Sequence, residues 1–382
     1  MNIVKGVDEK KSHFGLKNIP RRGRFHSGTN DQEACKTMND TEFYLAASAP
    51  DHSGGIWRFR SGAGSGKFEK AGFTALAGAN YLVAAPDGKH IYASGSDSEQ
   101  RGYVAAFRVE PDGGLTPLKC LDTNGRGCCH LCLAPDGGRL YAANYRSGSV
   151  AGFTIGGDGA PAERAEFDQH TGHGVDPDRQ EAPHPHFCGF TPDGKYLLVN
   201  DLGLDEIFAY PYSAAHGIDT AAVRRTAISP AGSGPRHLLF EPEGTCLLVT
   251  EMGNSLQRLG YDGQGGFSKL AAASTLPENV TVPSKAAALR LSPDGRFVLA
   301  SNRGYDSIAV FDRRTLERVS VAPAGGKSPR DFAFTADGRH VIVTNEFTPN
   351  AVCFDFDAER GILTPSGAEW GDMPRPLCVL TV

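Results

Sequence analysis

From residue 42 onward, short apolar runs recur along the chain, each pair separated by a polar turn. At one such break, His237-Leu238-Leu239-Phe240 precedes and Cys246-Leu247-Leu248-Val249 follows the tripeptide Pro242-Glu243-Gly244. Runs this short, bounded by Pro, acidic residues and Gly, predict β-strands joined in tight hairpins. The tripeptide carries turn chemistry: Pro presets φ, Asp hydrogen-bonds locally, and Gly accepts φ > 0. It recurs as Pro86-Asp87-Gly88, Pro135-Asp136-Gly137, Pro192-Asp193-Gly194, Pro293-Asp294-Gly295 and, with Ala for Pro, Ala336-Asp337-Gly338. The six copies lie 49, 57, 50, 51 and 43 residues apart.

A third apolar run follows each hairpin, as in Ser149-Val150-Ala151-Gly152-Phe153 and Ser307-Ile308-Ala309-Val310-Phe311. There are seven such runs but six tripeptides. The extra run, Gly55-Ile56-Trp57-Arg58-Phe59, is preceded by one strand, Phe43-Tyr44-Leu45-Ala46-Ala47, while the chain closes on an orphan, Leu377-Cys378-Val379-Leu380. If that last strand enters the first unit, both anomalies vanish. The sequence therefore predicts an all-β, seven-bladed β-propeller whose ring is closed by N- and C-terminal strands within one blade.

Composition narrows the class. Gly (47 of 382) and Pro (24) suit a turn-rich β-fold, and 40% hydrophobic against 22% charged residues suits a globular core. The net charge of −5 offers no basic surplus for nucleic acid. No apolar run reaches the length of a membrane-spanning helix, so no membrane partner is expected. Nine cysteines, an odd number in a long chain, argue for reduced thiols and a cytoplasmic address. Cys128, Cys129, His130 and Cys132 lack the second ligand pair of a zinc site. Residues 1–40 carry a charge of +3 and no apolar core run; they read as a mobile N-terminal extension to a propeller domain over residues 41–382.

In a propeller the first strand of each hairpin lines the central channel. The residues before that strand and after the second then lie at the face opposite the tripeptides. Six positions before each tripeptide stand Asn80, Cys129, His186, Arg236, Ala287 and Arg330; the next positions are Tyr81, His130, Phe187, His237, Ala288 and Asp331. Nine positions after stand Gly95, Asn144, Asp201, Glu251, Asn302 and Asn345. Asn and Asp at strand ends can simply cap turns. Arg236, His237, Glu251 and His186 converging on a channel mouth would be costly unless solvated or used. Arg236, Arg303 and Arg330 present forks for a carboxylate or phosphate, and His186 or Glu251 could take a proton from water. An anionic small molecule attacked by activated water fits this set.

The stretch Asp176-Pro177-Asp178-Arg179-Gln180-Glu181-Ala182-Pro183-His184-Pro185-His186 resembles the signature of the lactonase family of seven-bladed propellers, which includes propeller-type 6-phosphogluconolactonases and the fungal carboxy-muconate cyclase. Gly234-Pro235-Arg236-His237, Ser301-Asn302-Arg303-Gly304 and Ser328-Pro329-Arg330-Asp331 agree, and the resemblance spans roughly residues 42–382. It implies lactone hydrolysis, or a related cycloisomerisation, without metal or organic cofactor. The implied catalytic residues are His186, Glu251, Arg236 and Arg303. Around them His184, His237, Asn144, His130, Asp201, Asn302, Arg330 and Asn345 are candidate substrate contacts. Two departures stand out: Ala288 where relatives usually carry Glu, taken as loss of a carboxylate at the mouth, and Glu346 where Gln is common.

The expected function is hydrolysis of a sugar lactone, foremost 6-phospho-D-glucono-1,5-lactone, by a monomer or weak homo-oligomer. The alternatives are a muconate cycloisomerase, a non-catalytic ligand-binding propeller, and a lactonase holding Ca²⁺ on Asp201, Glu251, Asn144 and Asn302. The sequence leaves open which of His184 and His186 faces the channel.

Overall fold

The computed structural model describes residues 41–382 apart from 50, 52 and 62–66; the extension expected over residues 1–40 lies outside them. Every regular element described is a β-strand. The strands form seven antiparallel sheets. Six of the sheets start from the innermost strands Ala79–Ala84, Cys128–Leu133, Pro185–Phe190, Pro235–Phe240, Lys285–Leu291 and Pro329–Phe334 and run outward in chain order. In the seventh, the closing strand Pro376–Thr381 is innermost and pairs with Thr41–Ala47, as the strand count predicted.

Each blade also has an outer strand that the sequence pattern did not announce. Phe68–Ala75 and Phe267–Ser274 expose most of their residues. A strand with solvent on its outer edge and little buried surface has no need of an apolar alternation. In the blade that begins at Pro185, two short strands, Gly217–Ile218 and Arg224–Ala227, share that outer position against Glu206–Ser213.

The tripeptide turns differ in one detail that matters for the site. In five of them, the amide of the residue before the tripeptide bonds the carbonyl five residues on, as in Ser292 to Phe297. At Pro242 the bond runs from the Glu241 amide to the Thr245 carbonyl, four residues on. That hairpin is one residue shorter.

Apolar clusters fill the wedges between neighbouring blades. At the seam, Phe43 stacks on Phe59 at 4.8 Å and meets Phe68 and Trp370 edge-on at 5.1 and 5.6 Å. Trp370, from the preceding blade, donates its indole N–H to the Phe68 carbonyl at 3.1 Å. Phe43 is fully buried, so Phe43→Ala should cost about 3–5 kcal/mol. Urea titration of the two proteins tests this; a loss below about 1 kcal/mol would mean the seam is loosely packed.

Candidate active site

The innermost strands share an irregularity that builds the site. Pairing skips Asn80, Cys129, His186, Arg236 and Arg330 in five blades, and Leu377 in the closing strand. In the remaining blade the skip falls across Ala287 and Ala288. Each is a β-bulge, an extra residue that leaves the ladder and re-aims its side chain. A cavity of about 570 Å³ opens at this end of the channel, lined by Asn80, Cys129, His186, Arg330 and Leu377. Arg236 lies just beneath, beside a hollow of about 10 Å³ that His186 and Arg330 also border. The position six before each tripeptide is thus a channel register because it is the bulge.

The second register requires a correction. Asn144, Asp201, Asn302 and Asn345 are buried in their own blades and do not line the cavity. Asn144 accepts the Thr123 hydroxyl at 2.8 Å and donates to Ser149 at 3.2 Å. Asn302 donates to the Thr275 carbonyl and Ser307, and Asn345 to the Ala324 carbonyl and Asn350. Asp201 accepts the His184 and Leu204 amides at 2.7 and 3.1 Å, and its other oxygen lies 2.6 Å from His170 Nδ1. Strand-end residues clasp the connection that follows, which is the capping role such residue types favour. This geometry does not bring together the oxygens that the Ca²⁺ reading needed.

Glu251 escapes that fate because its hairpin is shorter. The clasp in its blade is Thr250, whose hydroxyl lies 2.7 Å from that of Ser255. Glu251 therefore stands one step further on, level with Tyr145, Arg303 and Glu346. Tyr145, Glu251 and Arg303 line the cavity. Counting nine positions found Glu251 through a compensating deletion and missed Tyr145 and Glu346.

His130 and His237 also lie elsewhere than expected. His130 packs on Tyr81 at 4.1 Å, Phe187 at 4.8 Å and His237 at 5.4 Å, forming an aromatic plug below the cavity. His237 borders the small hollow and His130 touches neither space. Ala288 follows the same register, fully buried in an apolar cluster with Phe297 and Phe332. A carboxylate at 288 would enter that layer, so its absence does not strip the mouth.

At the centre Glu251 is held by three guanidinium groups. Its Oε1 meets Arg179 Nη2 at 2.7 Å, and its Oε2 meets Arg303 Nη2 at 2.6 Å and Arg236 Nε at 3.1 Å. Burial by itself would raise the carboxyl pKa, but Arg303, Arg236 and Arg179 together hold it well below the usual range. Arg236 is 2% exposed. Burial and the neighbouring Arg303 lower it to about 9, leaving it a cation at neutral pH. Arg236 Nε also lies 3.2 Å from His186 Nε2, so Nε2 accepts and the ring proton sits on Nδ1. Burial first, and Arg236 second, push His186 well below its ordinary value, so it is neutral at pH 7.

His184 lines the wall rather than the reactive centre. Its ring stacks on Tyr145 at 4.4 Å, with Nδ1 at 2.8 Å from the Tyr145 carbonyl and Nε2 at 3.2 Å from Glu181. Arg179, which sequence counting passed over, also donates to the Tyr145 hydroxyl at 3.1 Å. It sits in an irregular loop with no repeat to count from, although the signature stretch contains it.

A second cluster stands on the cavity wall. Arg330 Nη1 lies 3.5 Å from Glu346 Oε2, and Arg375 Nη2 lies 2.5 Å from Glu346 Oε1. Burial opposes ionisation of Glu346, yet Arg330 and Arg375 keep its pKa low. Cys129, which lines the cavity, is pushed up to about 12 by burial, which removes it as a thiolate nucleophile. What remains is a cationic pocket that holds the neutral His186 imidazole, suited to binding an anion and stabilising a developing oxyanion.

The chain matches the family model described as Lactonase, 7-bladed beta-propeller, over residues 42–381. A 6-phosphogluconolactonase of Bacillus subtilis is 33% identical over 348 residues, covering 88% of this chain and 97% of that protein. The structure of a periplasmic gluconolactonase from Pseudomonas aeruginosa superposes with a TM-score of 0.83 at 26% identity, covering 90% of this chain and 99% of that one. A protein from Lactobacillus plantarum superposes with a TM-score of 0.82 at 29% identity, covering 90% and 99%. Among the described residues no helix is long and apolar enough to cross a membrane.

Proposed function

Because the chain belongs to the seven-bladed β-propeller lactonase family, we propose that it hydrolyses a sugar lactone, with 6-phospho-D-glucono-1,5-lactone as its substrate. The observation that carries this reading is Arg236, set between the neutral imidazole of His186 and the carboxylate of Glu251. A lactone carbonyl oxygen entering beside Arg236 and Arg303 takes their N–H donors. That draws Arg236 Nε away from His186 and frees Nε2 to accept a proton from the attacking water. The tetrahedral oxyanion then faces two guanidiniums, and as it collapses the ring C–O bond breaks and the departing ring oxygen takes the proton held on His186. Glu251 is the counter-charge that lets three guanidiniums share one buried spot, with both of its oxygens set against them. A positioned base contributes about 10²–10⁴-fold and an oxyanion donor about 10²–10³-fold, enough for an ester already activated by its ring.

The test is hydrolysis of 6-phospho-D-glucono-1,5-lactone by purified protein, followed against the spontaneous rate in excess EDTA. The expected result is a rate at least about a hundredfold above background and indifferent to the chelator. No acceleration for this or for glucono-1,5-lactone would overturn the reading, and collapse of the rate in EDTA would overturn the metal-free mechanism.

A further inference from the structure

The arginines at the cavity gather on two carboxylates. Around Glu251 stand Arg179, Arg236 and Arg303; around Glu346 stand Arg330 and Arg375. In both groups the cations outnumber the carboxylate. One group is enough to polarise a carbonyl and hold its oxyanion. An uncharged lactone gives the second group nothing to do.

The second group is assembled with care. Glu346 is only 6% exposed and divides its two oxygens, one to each arginine, so each guanidinium keeps further N–H donors for a ligand. Arg330 is a bulge residue of its innermost strand, aimed into the cavity. Arg375 comes from the link before the closing strand, and its backbone sits at φ +42°, an uncommon conformation for a residue with a Cβ. Its carbonyl accepts the Ser48 amide at 3.0 Å, which fixes this unusual geometry to the opposite connection. Its side chain is 58% exposed and lines the cavity. An exposed arginine held at one end by a buried carboxylate and at the other by its backbone is poised for an anion from solvent. The forks suit a phosphate or carboxylate in two-point contact.

We propose that Arg330 and Arg375, yoked by Glu346, are the specificity-determining clamp for the anionic tail of the substrate, while the Glu251 group faces the bond that breaks. The clamp rests on the lactonase reading only for the identity of the reacting end; its preference for anions is a binding property. It sets which lactone is taken.

The experiment pairs calorimetric binding with turnover. 6-Phosphogluconate and gluconate are titrated into wild type, Arg375→Ala and Arg330→Ala, and kcat/KM is measured for the phosphorylated and unphosphorylated lactones. Wild type should favour 6-phosphogluconate over gluconate. Each variant should reduce that preference about ten- to a hundredfold, mainly through KM, as expected for loss of a charge-assisted hydrogen bond. Variants with a lower unfolding midpoint but the wild-type preference would overturn the clamp and leave a seam salt bridge. If neither lactone is turned over but 6-phosphogluconate binding still weakens in both variants, the clamp stands and the hydrolytic reading falls. If the lactones are hydrolysed without discrimination, the reverse holds.

Discussion

Replacing Arg236 by Ala should lower kcat for lactone hydrolysis by about 10²–10³-fold in a protein that still folds. Arg236 touches both the base and its counter-charge, with Nε 3.2 Å from His186 Nε2 and 3.1 Å from Glu251 Oε2. Its Nη1 is buried without a hydrogen-bond partner, a donor held ready in a place where donors are normally satisfied. Removing the side chain leaves Glu251 paired with Arg179 and Arg303, so the buried carboxylate is not abandoned. The loss should therefore fall on turnover more than on stability. Lysine should not rescue it, because a single ammonium cannot reach two partners and a substrate oxygen from one planar fork. A second signature separates catalysis from packing. Arg236 is the largest electrostatic cause of the lowered His186 pKa, after burial. In Arg236→Ala the acid limb of the pH–rate profile should move to higher pH. Turnover within a factor of a few of wild type, with an unmoved acid limb, would place the chemistry elsewhere.

The second large effect is on stability in mild acid. His130, His186 and His237 are all buried, and burial, assisted by nearby cations, lowers all three; His130 falls to about 3. In the unfolded chain each would titrate near 6.5. Below that pH the unfolded state binds protons that the folded state refuses, so stability present above about pH 6.5 drains away as pH falls. With three such groups the slope approaches about 4 kcal/mol per pH unit once the unfolded histidines are mostly protonated. Glu251 acts in the same direction at lower pH: its stabilisation is full above the ordinary Glu range and is lost as pH falls through its depressed folded value. Urea midpoints from pH 7.5 to pH 5 should decline steeply. His237→Phe, which suits an aromatic plug already containing Phe187, should remove about one proton from the slope. A flat stability profile across that range would show that the three rings find water or protons in the folded state.

The fold was legible because its signal is periodic. Turn tripeptides near a fifty-residue spacing, and a mismatch between hairpins and third strands, were enough to reach seven blades and the shared closing blade. The outer strands were not legible, since residues such as Glu69 and Lys70 face solvent and carry no pattern. The site was legible to the extent that it follows the bulge. His186, Arg236 and Arg330 share one offset from their turns because every innermost strand bulges at the same place. Asn144, Asp201, Asn302 and Asn345 were misplaced because residue type alone does not distinguish a clasp inside a blade from a group facing the channel. Glu251 was reached by an offset that is correct in its blade and in no other. Arg179 and Arg375 lie on loops outside the repeat, where counting from the turns cannot reach them, although Arg179 falls within the signature stretch.

The seam between the first and last blades also orders events in time. Thr41–Ala47 leaves the ribosome long before its innermost partner, Pro376–Thr381. Until then, six blades can assemble while the first lacks its inner strand and the cavity lacks both Leu377 and Arg375. Substrate selection by the clamp thus becomes possible only once Arg375 and the closing strand have been made and docked. A nascent or clipped chain that stops short of Arg375 but keeps Arg236, Glu251 and Arg303 would have its reacting end without its selecting end, so a preference for the phosphorylated ligand would report that the closing strand is in place.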